Sequence, residues 1–176
     1  MEEHYLRYPV GQFDKPSVIT SQVLENWVET IGSFPELLSL EVALLSDEQL
    51  DTPYRKGGWT IRQVVHHCAD SHMNAFVRFK LALTENNPVI KPYEEALWAE
   101  LSDSRSLPVA SSLFILKGLH FRWHILLRNL NEEMLKRKYT HPEHGQEFTL
   151  EEAIGMYAWH CSHHLAHVKS VTRRKD

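Results

Sequence analysis

Four stretches of this chain repeat apolar side chains at three- and four-residue steps, which commits the sequence to long amphipathic helices that must bury one face against each other. The pattern lacks alternating strand-like runs, internal repeats and low-complexity tracts. The first stretch covers about Ser21 to Leu45, with Val23, Trp27, Ile31, Leu38, Val42 and Leu45 on its apolar side, and Gly32 and Pro35 predict a kink or a restart within it. The second follows Gly57-Gly58-Trp59. There Thr60 as N-cap, with Gln63 three residues on, satisfies backbone N–H groups that a helix start leaves unpaired, and the helix is expected to reach about Thr84.

The third stretch begins near Pro108, a residue suited to a first helical position, and carries Val109, Leu113, Leu116, His120, Trp123, Leu127 and Leu130 as a seam. The fourth opens on a second capping box, Thr149 to Glu152, and runs to Arg173-Arg174-Lys175, whose charge suits the negative end of the helix dipole. Long connections separate the four. The longest, Asn86 to Leu107, holds Pro88, Pro92 and a short helix around Tyr93 to Leu101, so consecutive helices need not be neighbours. The expectation is an all-α four-helix bundle with long crossover connections, one domain over residues 1–176.

Composition narrows the function. A chain of 176 residues can build a core without disulfides, and no stretch approaches the roughly 20 apolar residues that span a bilayer. The N-terminus has neither a secretory nor a transit pattern, and the only cysteines, Cys68 and Cys161, each sit beside a histidine inside a helical stretch, which suits a reducing cytoplasm. Net charge is −4 with acids and bases interspersed, so no basic stripe is offered to nucleic acid.

Of the twelve histidines, His66, His67, His72, His160, His163, His164 and His167 fall in just two segments. On the second helix Ile61, Val65, Cys68, His72, Phe76, Phe79 and Leu83 form the apolar stripe, while His67, Ser71, Asn74 and Arg78 form a separate polar one. On the fourth, Ala153, Tyr157, His160, His164, His167 and Val171 share a face, and His160 with His164, one turn apart, can chelate a single ion. His163 and His167 have the same spacing, and the third ligand must come from another helix, where His66 and His67 are the concentrated candidates, so spacing alone leaves the set open. An HxxxH pair is by itself a weak signal. Trp27, Trp123, Phe76 and Phe79 read as core, and the two cysteines as small buried residues rather than thiolate ligands.

Longer blocks are more specific: Tyr8-Pro-Val-Gly11 with Pro16, the run from Leu50 to His67, its continuation from Ala69 to Asn74, and Tyr157 to His167. Over nearly its whole length the chain resembles the DinB/YfiT-like metalloenzymes, most closely their metal-dependent hydrolase branch. The resemblance implies a four-helix bundle, a homodimer, and one divalent metal per subunit, zinc or nickel. It implies that the ligands are His67, which Trp59 precedes by eight residues, with His160 and His164 from the last helix. Cys161 stands where a serine is expected in close relatives.

Three neutral imidazoles leave a coordination position open, as in catalytic rather than structural zinc sites. A water there, its pKa lowered toward about 7, makes a hydrolase. A low-molecular-weight thiol there, such as the bacillithiol used by some members of the family, makes a thiol S-transferase. A non-catalytic metal or small-ligand binding module is the third reading, and a fourth protein ligand closing the site would favour it. For a small-molecule substrate, Asn74, Arg78 and Arg122 are candidate anchors of an anionic group. Tyr157 is a candidate proton donor or orienting group, and Asp70 a candidate hydrogen-bond partner for an imidazole. The sequence identifies no general base.

Overall fold

The computed structural model describes residues 2–143 and 145–172. In chain order these form α1 (Glu2–Arg7), α2 (Ser21–Val42), α3 (Asp47–Leu50), α4 (Ile61–Thr84), α5 (Glu95–Trp98), α6 (Ser102–Ser106), α7 (Ala110–Arg128), α8 (Glu132–Leu135), a hairpin of β1 (Lys138–His141) and β2 (Gln146–Thr149), and α9 (Leu150–Thr172). The four long helices make the bundle. α2 packs on α9 and α7, and α4 packs on the same two, which sets α2 opposite α4 and α7 opposite α9. The first two long helices, α2 and α4, and the last two, α7 and α9, thus lie across the diagonal while α4 and α7 are neighbours, a crossover arrangement that the long connections allow.

Both capping boxes form. Thr60 accepts from the Gln63 backbone N–H while the Gln63 side chain accepts from Thr60, and Thr149 and Glu152 do the same at α9. Arg62, on the first turn of α4, is buried and bonded to Asp51 at 2.6 Å, Asp47 at 3.0 Å and the Leu107 carbonyl at 3.1 Å, so it ties α3 and the end of α6 to α4. Gly57, with φ of +66°, takes a left-handed conformation that a side chain disfavours, and the loop turns back so that the Trp59 carbonyl accepts from Tyr54 N–H at 3.2 Å. Trp59 is thereby fixed beside the second turn of α4.

Some expectations need correction. Pro35 does not restart the first helix: α2 runs unbroken through it, because the carbonyl it leaves unpaired, four residues back at Ile31, takes a hydrogen bond from His120 at 2.6 Å instead. The third helix begins at Ala110, two residues later than Pro108 suggests. The expected short helix around Tyr93 to Leu101 forms as α5, and a further one, α6, follows it unanticipated. The hairpin was not anticipated; its strands span four residues each, too few for a period-two pattern to stand out, and a stacked Tyr139–Phe148 pair 5.7 Å apart holds them with Gly145 in the turn at φ +56°. The basic end at Arg173 to Lys175 lies outside the described residues.

The core joins all four long helices through Ile31, Phe34 and Leu38 from α2, Ile61, Val65 and Phe79 from α4, Leu116 and Trp123 from α7, and Leu150 and Ile154 from α9. His72 and His120 are as buried as these, at 0% and 1% exposure. Trp123 is fully enclosed, with ring centroids of Phe79 and Tyr157 each 5.4 Å away. Trp123→Ala is expected to cost about 3–5 kcal/mol, because the helices cannot close on the space it vacates. The check is a urea midpoint that falls with an unchanged m-value; an unshifted midpoint would contradict this packing.

Candidate metal centre

His67 lies on the second turn of α4, and His160 and His164 face it from the middle of α9. One nitrogen from each of the three comes within 4.8 Å of the others, and His67 Nε2 and His160 Nε2 are 3.3 Å apart. Two ligand atoms on one ion at bonds of about 2.0–2.1 Å are themselves about 3.0–3.4 Å apart, so the residues present fit a divalent ion. The Trp59 ring sits 4.7 Å from that of His67 and braces it.

Burial sets the charge of the rings. Desolvation, with the proximity of His163, holds His67 down to about 4, and desolvation keeps His160 and His164 well below the ordinary histidine value. All three are therefore neutral at pH 7 and carry a lone pair for a cation. His164 Nδ1 meets His167 Nδ1 at 3.4 Å, and His167 Nε2 donates to the Arg7 carbonyl at 3.3 Å. His160 Nδ1 meets His72 Nε2 at 2.9 Å.

The three imidazoles form one wall of a cavity of about 480 Å³, which Arg78, Glu95, Tyr139, Tyr157 and His163 also line. Arg78 donates to the Tyr157 hydroxyl at 3.2 Å, and burial raises Glu95 above the usual carboxylate range despite the nearby Arg78. His163, stacked on Trp159 at 4.6 Å, belongs to a second group with His164 and His167, whose nitrogens also come within 4.8 Å of one another.

Of the residues singled out from the sequence, Arg78 and Tyr157 reach the cavity with the three histidines. Asn74, Asp70 and Arg122 are not among its lining residues. The Asn74 amide donates to the Asp70 carbonyl at 2.9 Å, and Arg122 lies over the Phe76 ring at 5.3 Å. Asp70 is raised to about 6 by burial and by Asp103, while the imidazole nitrogens that back His160 and His164 come from His72 and His167. His66 points away, bonded to Ser112 at 2.7 Å and the Leu107 carbonyl at 3.1 Å. Cys68 and Cys161 are buried with thiols pushed up by desolvation, so neither is a thiolate. Sequence reasoning missed His72 and His120 as polar partners because each sits at a seam position; a histidine at such a position on both facing helices is the available signal.

Comparison with known proteins agrees with this architecture. The DinB superfamily profile matches residues 33–168. A Bacillus cereus (strain 03BB102) protein is 54% identical over 169 residues, covering 96% of each chain, and an Oceanobacillus iheyensis protein is 51% identical over 170 residues, covering 97% of this chain and 98% of its own. Bacillus subtilis "Putative metal-dependent hydrolase YfiT" is 47% identical over 169 residues, covering 96% of this chain and 95% of its own. The solved structure of Bacillus subtilis YfiT, described as a probable metal-dependent hydrolase with an unusual four-helix bundle topology, superposes with a TM-score of 0.93 at 46% identity over 97% of each chain.

Neutral buried histidines make the metal-free fold sensitive to acid. His67 and His120 are held to about 4 in the folded chain against 6.5 for an unburied histidine, so between those values the unfolded chain binds more protons. Stability is full above pH 6.5 and is lost as the pH falls toward 4, at about 1.4 kcal/mol per pH unit for each such histidine. Asp70, shifted the other way, offsets part of one of them. Urea midpoints of metal-free protein should drop steadily from pH 7.5 to pH 5; a flat profile would contradict the neutral assignment.

Proposed function

The chain belongs to the DinB superfamily, and on that premise we propose that it is a metal-dependent hydrolase whose one divalent ion, zinc or nickel, is held by His67, His160 and His164. The observation that carries the reading is the convergence of three neutral imidazoles from two helices on the wall of an open cavity. The relatives' names, which speak of metal-dependent hydrolysis, support it. A divalent ion on three imidazoles keeps a coordination position for an exchangeable molecule and supplies Lewis acidity, enough to bring the pKa of a bound water toward about 7.

The chain's own residues do the rest. His67, braced by Trp59, and His160 and His164, backed by His72 and His167, hold their lone pairs on one point. Arg78 is a cationic anchor for a polar or anionic group of a small-molecule substrate, and Tyr157, whose oxygen accepts from Arg78, keeps its hydrogen to donate to a substrate oxygen. Tyr139, Phe148 and Met156 give the cavity apolar walls that limit water around the reacting bond.

Transfer of a thiol to an electrophile is the second reading. The two buried cysteines favour a thiol brought in from solution, such as bacillithiol, since neither can serve as the nucleophile. A binding module without turnover is the third.

The reading also takes residues 1–176 as one domain working as a cytoplasmic homodimer, with neither membrane nor nucleic acid as partner. Phe114 and Phe121, 77% and 72% exposed on the outer side of α7, offer an apolar face for a second copy. No helix among the described residues is long and apolar enough to cross a membrane.

His67→Ala and His164→Ala are each expected to weaken zinc binding by more than about 100-fold, beyond the loss typical of an outer partner, while the helical circular dichroism signal persists. Stoichiometric metal in both variants would overturn the ligand set. Metal-loaded protein given an ester and amide panel should cleave members of it, and a chelator should abolish the cleavage. A thioether adduct from thiol plus electrophile, with no cleavage, would replace hydrolysis by transfer.

A further inference from the structure

Pro35 lies inside α2, and a proline has no N–H to give to the carbonyl four residues back, which is that of Ile31. The Ile31 oxygen instead lies 2.6 Å from His120 Nδ1 on α7. A carbonyl only accepts, so the hydrogen is on His120 Nδ1. A neutral imidazole has one N–H, so His120 Nε2 is bare, and the nitrogen facing it at 2.8 Å, His72 Nδ1 on α4, must donate. His72 Nε2 is then bare in turn. It lies 2.9 Å from His160 Nδ1 on α9, which must therefore carry its hydrogen there and leave Nε2 as the lone pair facing His67 at 3.3 Å.

Every hydrogen in this line is dictated by the acceptor at its far end. The rings around it are those of Phe34, 5.3 Å from His72 and 5.6 Å from His120, and Trp123, 5.9 Å and 5.6 Å from the same two, an environment that favours uncharged imidazoles. A second, looser line of the same kind runs from the Arg7 carbonyl through His167 to His164.

We propose that His120 and His72 are positioning residues of the metal centre: anchored on the carbonyl that Pro35 leaves free, they form a one-way relay that locks His160 in its Nδ1–H form and presents its bare Nε2 to the ion. A ligand histidine whose other nitrogen is held this way is fixed in tautomer and ring orientation and is the stronger base. The inference rests on the metal reading given above for its purpose, although the tautomers themselves belong to the metal-free protein.

The test has two arms. In metal-free, 15N-histidine-labelled protein, long-range 1H–15N correlation spectra should show His120, His72 and His160 each with hydrogen on Nδ1 and none on Nε2. Zinc affinity, measured by competition with a chromophoric chelator, should fall about 10- to 100-fold in His72→Phe. It should largely recover in His72→Gln, whose amide can both donate to His120 and accept from His160. Hydrogen on Nε2 of His160, or a folded His72→Phe with unchanged zinc affinity, would overturn the relay; if His72→Phe does not fold, the wild-type spectrum decides. Wild-type protein with the expected spectrum that takes up neither zinc nor nickel would overturn the metal reading and the purpose given to the relay, while the tautomers stand. The two failures are therefore separable.

Discussion

A hydrogen bond from His120 to the Ile31 carbonyl is the constraint on which the interior of this bundle depends. Pro35 takes away that carbonyl's helical partner, and a buried polar group without a partner costs roughly 1–3 kcal/mol. Meeting that need brings an imidazole into the core, and each imidazole then needs a neighbour for its second nitrogen. The line closes only at His160, so Ile31, His120, His72 and His160 take one residue from each of the four long helices. The last lone pair of the line, on His160 Nε2, faces His67 Nε2 at 3.3 Å on the wall of the cavity.

The apolar packing and the polar line have different jobs. Phe34, Phe79, Trp123 and Ile154 supply the buried surface that holds the helices together, yet many volume-conserving choices would do as much. The imidazoles allow far fewer. Their distances of 2.6 to 2.9 Å fix the rotation of α7 and α9 about their axes relative to α4, and with it the direction of His160. His67 comes from the same helix as His72, so one rigid element carries both a member of the triad and a member of the line behind it. The crossover connectivity matters here because it lets α4 and α9, which carry the triad, lie side by side while α2 and α7 close the far side.

How much of this is legible in the sequence depends on the length over which each signal repeats. The long helices are readable because their apolar steps recur over 19 to 24 residues and two of them begin at capping boxes that form as written. The hairpin at 138–149 is not, since four-residue strands give no period to read. In the site, the i, i+4 spacing of His160 and His164 and the polar stripe under His67 are visible, but spacing leaves His163, His167 and His66 as rivals, and only the resemblance to DinB/YfiT-like proteins narrows the set. Arg78 and Tyr157 come to the cavity while Arg122 and Asn74, at equally suggestive positions, do not, because that depends on where α7 and α4 turn their outer faces. The role of Pro35 is invisible from the sequence alone: a helix-breaking residue reads as a kink until the donor that replaces its missing N–H is known.

The proposed centre is three imidazoles, His67, His160 and His164, sharing one ion with room left for a small molecule. X-ray absorption at the metal edge of the zinc- or nickel-loaded protein measures this most directly. It should fit three imidazole nitrogens at about 2.0–2.1 Å plus light oxygen scatterers that exchange with added anions, and no sulfur. A sulfur shell, or four imidazoles with nothing exchangeable, would contradict it.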